Sequence, residues 1–135
     1  MKKYFSLALV AATLVFASTA RAQELRVRAD IPFDFVVGNT VYAAGTYTIG
    51  PATHNSSALL LDGDTRGFVI PNECSSNQPS KSTKLVFDRM GDTYFLHQIW
   101  VEGNPIGREI PKGKAELRMA ANPAENVTVS AKLMR

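Results

Sequence analysis

A single cysteine, Cys74, stands in the 135 residues, so no disulfide can form within the chain. Small exported domains often lean on such bridges; this one has to be held by its apolar core. Histidine is nearly as scarce. His54 and His97 lie far from each other and from Cys74, so the spacing of a metal site is missing. A glycine-rich phosphate loop is missing too, since "GNTVYAAG" has neither the spacing nor the lysine, and no serine sits in a nucleophile elbow. Asp62-Gly63-Asp64-Thr65 echoes a calcium loop, but Arg66 follows where a further ligand belongs, so the stretch is read as a turn. No cofactor and no metal ion are expected. Asp34, Asp88, Glu102 and Glu109 could pair as acid and base only if the fold brings them together.

Long apolar runs are confined to the N-terminus. Lys2 and Lys3 precede the apolar stretch Leu7 to Ala17, and Ala20-Arg21-Ala22 supplies small residues for a signal peptidase. The stretch falls short of the roughly 20 residues that cross a bilayer. Residues 1–22 therefore read as a signal peptide, and 23–135 as one exported domain, periplasmic or extracellular, without a stable membrane span. Of 15 Lys and Arg, Lys2, Lys3 and Arg21 fall in the leader, while all 12 Asp and Glu follow it. The exported chain is electrically balanced, and the basic character that would suggest a nucleic-acid partner leaves with the leader.

What is present is glycine and proline at short intervals, which favours short strands over long helices. Leu25, Val27 and Ala29 alternate with Arg26, Arg28 and Asp30 as a half-buried strand, which Pro32 breaks. Phe33, Phe35 and Val37 then take one face. Gly45 permits a kink before Thr46 to Ile49. Asp62-Gly63 offers a tight hairpin turn between the apolar runs Leu59 to Leu61 and Phe68 to Ile70, both expected to be covered on two sides. "NECSSNQPSKST" lacks large apolar groups and reads as an exposed, mobile loop, with Cys74 as a bystander thiol.

"KLVFDRMGDTYFLHQIW", Lys84 to Trp100, reads as a hairpin about Met90-Gly91 that opposes Asp88 to Thr93, Phe87 to Tyr94 and Leu85 to Leu96, with Arg89 facing Asp92. Leu85, Phe87, Tyr94, Leu96 and Trp100 would share the core face. Val86, Phe95, Ile99 and Val101 would share the other with Lys84, Asp88, Thr93 and His97. A turn follows at Gly103-Asn104-Pro105. "EIPKGKAELRMAANP" is the one candidate helix, opened by Pro111 and stopped at Asn122-Pro123, with Ala115, Met119 and Leu117 inward over the second face. Val127, Val129, Ala131 and Leu133 alternate in a last strand. Seven to nine short strands and one short helix before the last strand make an all-β chain, a small antiparallel β-barrel or β-sandwich.

Tyr94, Trp100, His97 and Arg89 on the hairpin are the candidate contacts for a ligand or partner. Tyr94 and Trp100 could form a stacking platform, although aromatics at period two are more often core. The segments Ile31 to Gly38, Ala44 to Ile49, Lys84 to Trp100 and Arg108 to Glu116 resemble an "IPFDF.VG......AG.Y.I", a "KLVF.R.GD.YFL..IW" and a "RE.PK....E". Small secreted β-rich proteins of acidobacterial-type soil bacteria carry these motifs, and the resemblance covers most of the exported chain. That family implies no activity and no functional residue; it often has Pro where Ala44 stands. The expected function is that of an exported, non-catalytic β-domain that binds or belongs to the cell envelope. The alternatives are a carrier of a small apolar ligand inside a barrel and a small carboxylate-dependent hydrolase.

Overall fold

A computed structural model describes residues 26–54, 56–119 and 123–134. The expected signal peptide, Leu25 and Asn122 of the expected helix stop lie outside the described residues. The described strands are β1 (Arg26–Ile31), β2 (Phe35–Val37), β3 (Thr40–Tyr42), β4 (Gly45–Pro51), β5 (Leu59–Asp62) and β6 (Gly67–Val69). They continue with β7 (Asn72–Ser75), β8 (Lys84–Met90), β9 (Thr93–Trp100) and β10 (Ile106–Glu109). A short helix, α1 (Lys114–Arg118), precedes the last strand, β11 (Glu125–Met134).

The fold is all-β, as the alternating apolar pattern implies. Hydrogen-bonded neighbours run β3-β2-β9-β8-β11-β1-β4-β5-β6, and the sheet curls into a nearly closed barrel. Its pairs are antiparallel except β2 with β9, where Phe35 faces Tyr94. β9 changes partner along its length: β2 lies beside its first half, and β10 pairs Ile99 and Gln98 further on. The two edges, β3 and β6, meet through side chains. The Ala43 N–H donates to Thr65 Oγ1 at 3.4 Å, and Gly67 has no room for a Cβ beside the Tyr42 hydroxyl.

Alternation decides which residues enter the barrel. β1 buries Val27, Ala29 and Ile31 and leaves Arg26, Arg28 and Asp30 outside. One end of the interior is filled by rings. Phe35 stacks on Tyr42 at 5.3 Å and meets Tyr47 and Phe87 edge-on, while Phe33 stacks on Tyr94 at 3.8 Å. Full burial of side chains of this size stabilises by roughly 1.5–3 kcal/mol each. β11 turns the corner of the barrel, pairing β8 with its first part and β1 with its last.

Several expectations are corrected. "NECSSNQPSKST" is not all loop: Asn72 to Ser75 form β7 against β10, because β10 offers it a free edge. Asp62-Gly63 does not make a two-residue turn. The last pair is Leu61 with Gly67, and Gly63 serves instead for space, since a Cβ there would meet the Thr46 carbonyl oxygen and the Tyr47 ring at 2.7 Å. Phe68 and Ile70 are not covered; they are 65% and 67% exposed on and just beyond an edge strand. Pro111 does not open the helix, whose N-cap is Gly113. Ala115 and Leu117 are both exposed, and Glu116 is buried in their place beside Met119, which packs on Val36, Met90 and Phe95.

Candidate functional site

The β8–β9 hairpin closes one pair later than Met90-Gly91 would have it. Met90 pairs with Thr93, so the turn is Gly91-Asp92, and Gly91 takes φ 63°, where a methionine would be strained. Arg89 therefore faces Tyr94 rather than Asp92. It lies 5.7 Å from the Tyr94 ring centroid and ion-pairs with Glu125 at 3.8 Å. Phe87 faces Leu96, and this shift by two leaves both on the core side.

The next step changes the faces. Phe87 pairs with Leu96 but Val86 pairs with Gln98, so His97 is an extra residue in β9, a β-bulge. Beyond it the alternation is reversed. Ile99 and Val101 join the main core, and Trp100 turns out of it. The expected faces are thus wrong at Ile99, Trp100 and Val101, and Tyr94 and Trp100 do not share a platform. Tyr94 closes one end of the barrel with Phe33 and Arg89, while Trp100 lies on the outer side of the sheet, buried to 9% exposure against Gly107.

On that face the register lines up rows across three strands. Thr128, Val86 and Gln98 form one row; Ser130, Lys84 and Trp100 form the next. Trp100 packs against Gly107 of β10, where a Cβ would sit 2.8 Å from the indole ring. Its Nε1–H donates to Gln98 Oε1 at 3.0 Å. The segment after β7 rises as a wall. It is strapped to the β9–β10 turn by Ser76 N–H to the Pro105 carbonyl at 2.8 Å, Ser80 N–H to the Asn104 carbonyl at 3.2 Å and Gly103 N–H to the Ser80 carbonyl at 2.9 Å. Between wall and sheet runs a groove of about 480 Å³. Trp100 and Val86 give it apolar surface, Gln78, Gln98 and Asn126 amides, Thr128 and Ser80 hydroxyls, and Lys81 and Lys84 charge.

The other half of the outer face is roofed by α1. His97 sits there between two acids: Nδ1 is 3.6 Å from Asp88 and Nε2 is 3.7 Å from Glu109. The two carboxylates address opposite nitrogens of one ring, a poor arrangement for holding a common ion. Glu116 comes down from α1, 3% exposed, with Oε1 lacking a hydrogen-bond partner. Burial, reinforced by the Asp88 carboxylate, pushes its carboxyl above the usual range, against the pull of Lys112 and His97. Of the acids singled out from sequence, Asp88 and Glu109 come together; Asp34 accepts from the Ala44 N–H at 2.8 Å instead. Glu102 is tied near Thr83, whose Oγ1 accepts from its N–H at 3.1 Å.

A second cleft, about 240 Å³, opens at the barrel mouth opposite the ring-filled end. Val27, Ile49, Leu59, Ile99 and Val101 line it, with Asn104 and Arg108 at its polar side. Arg108 is engaged with Glu73 at 3.2 Å. Cys74 is half-buried on β7, and desolvation, then Glu109, raises its thiol, which opposes a nucleophilic role. No group of three or more His, Cys, Asp or Glu among the described residues is placed to hold a metal ion, and no described helix is long and apolar enough to cross a membrane. No family model, curated protein or solved structure matches the chain.

Trp100 was named from sequence for the wrong face. The signal for the correct one, an extra residue in β9, is absent from the alternation itself, because "FLHQIW" fits a regular strand equally well.

Proposed function

We propose that the protein is an exported, non-catalytic binding domain whose ligand lies in the groove over Trp100. The observation that carries this is the bulge at His97. It takes the only tryptophan off the barrel interior and beds it, 9% exposed, in the floor of a walled polar groove. β-bulges recur where a strand must re-aim a side chain at a site, and a volume of about 480 Å³ falls within the roughly 300–1,000 Å³ of ligand sites. Export rests on the leader-like residues 1–22 and on a chain balanced in charge after them. Kinship with small secreted proteins of acidobacterial-type bacteria rests on the motifs from Ile31 to Glu116 and supports the same reading.

The mouth cleft favours a second reading, a carrier of a small apolar group, and its lining of Val27, Ile49, Leu59, Ile99 and Val101 supports it. Its volume, about 240 Å³, is below the usual range, so the groove is preferred. Neither cavity is lined by a carboxylate, and Glu102 lines a surface hollow beside Lys81 and Lys132 with no second acid, so the hydrolase reading finds no acid pair beside a substrate. The test is ligand screening by chemical-shift mapping on the purified protein. Shifts confined to Gln98, Trp100, Lys84 and Thr128 support the groove. Shifts confined to Val27, Leu59 and Val101 would replace it with the carrier.

A further inference from the structure

Resting on the groove as the binding site, we infer that its ligand is an acidic polysaccharide, a chain of sugar rings bearing carboxylate or sulfate groups. Three features of the lining converge on that class. Trp100, 9% exposed, shows the groove a narrow strip of indole among polar groups, an apolar contact for the C–H side of one pyranose ring rather than an open stacking face. Packing on Gly107 and the bond to Gln98 Oε1 fix its angle in advance, so little ordering remains for the moment of binding. That same bond uses the oxygen of Gln98 and leaves its NH₂ to donate. With Gln78, Asn126 and Thr128 the groove then offers donor and acceptor pairs for ring hydroxyls.

Charge selects among sugars. Lys81 and Lys84 line the groove and no acid does, although the exported chain as a whole is balanced. An ammonium is a rotatable point charge with three donors, suited to a carboxylate or sulfate whose position varies along a polymer. Nucleic acid fits less well: one aromatic group and two lysines make neither a stacking ladder nor a phosphate track.

The only tryptophan of the chain is itself the reporter. Fluorescence of the purified protein is titrated with polygalacturonate, with dextran as the neutral polymer and with single-stranded DNA as the other polyanion. A saturable change with polygalacturonate is expected, weakening as salt rises, with little response to dextran or DNA. The double variant Lys81→Ala, Lys84→Ala should bind about tenfold more weakly while still melting cooperatively, since Lys81 is exposed and Lys84 half-buried outside the barrel core. An equal response to dextran, or one to DNA alone, overturns the acidic-sugar class while leaving the groove as the binding site. Polygalacturonate binding that leaves Trp100 fluorescence unmoved overturns the groove itself.

Discussion

A carboxyl buried to 3% exposure with an unpartnered oxygen is best tolerated neutral, and Glu116 is such a group. Burial holds its carboxyl above the usual range, so the folded chain keeps a proton that the unfolded chain releases over the ordinary Glu range. Its contribution to stability is therefore fully present below that range and is lost as pH rises through the folded value. Glu116→Gln should abolish this loss and be the more stable form by about 1 kcal/mol at pH 8. Melting curves of both proteins from pH 4 to pH 8 check it, and two parallel pH profiles would contradict it. Sequence could not mark Glu116: helical spacing and apolar character favour burying Ala115 with Met119, four residues apart, and only the docking of α1 over Asp88 and His97 decides otherwise.

At the scale of elements, the bulge at His97 is the feature with the most consequences. Removing one residue there restores simple alternation and sends Ile99 and Val101 outward and Trp100 inward. Deletion of His97 should cost roughly 2–5 kcal/mol, comparable to emptying a core aliphatic position, and should also end ligand binding in the groove. Chemical denaturation measures the first. An unchanged midpoint would mean that β9 has no fixed bulge. The elements that were legible had a local cause. Pro32 ends β1, Gly103 at φ 82° makes the β9–β10 turn, and β11 alternates over its length. The hairpin turn was misplaced because apolar pairing alone does not choose between Met90-Gly91 and Gly91-Asp92, whereas backbone strain at a methionine does. β7 was missed because its pairing depends on β10, whose Gly107 faces Cys74 from 33 residues further along the chain: a polar strand carries no signal of its own.

Over the whole molecule, the outer surface of the barrel is divided between two covers, α1 over Met90 and Phe95 and the strapped wall over Trp100. The all-β class followed from alternation and turn residues, which left barrel and sandwich open; the structure chooses the nearly closed barrel. The seam between β3 and β6 was illegible, because it is made by a tyrosine against a glycine rather than by a ladder. Phe68 and Ile70 on the β6 side, 65% and 67% exposed, bury little in the single chain. Phe68→Lys should thus leave stability within about 0.5 kcal/mol of the original, and thermal denaturation is the check. A loss above about 2 kcal/mol would mean that this edge is covered in solution.

The account turns on the side of β9 that Trp100 occupies. Nuclear Overhauser contacts from its indole protons, in labelled protein without ligand, read this directly. Contacts to Gly107, Gln98 and Lys84, and none to Leu61 or Phe87, are the expected result. Contacts to Leu61 or Phe87 would place the ring inside the barrel and contradict the bulge, the groove and the function proposed from them.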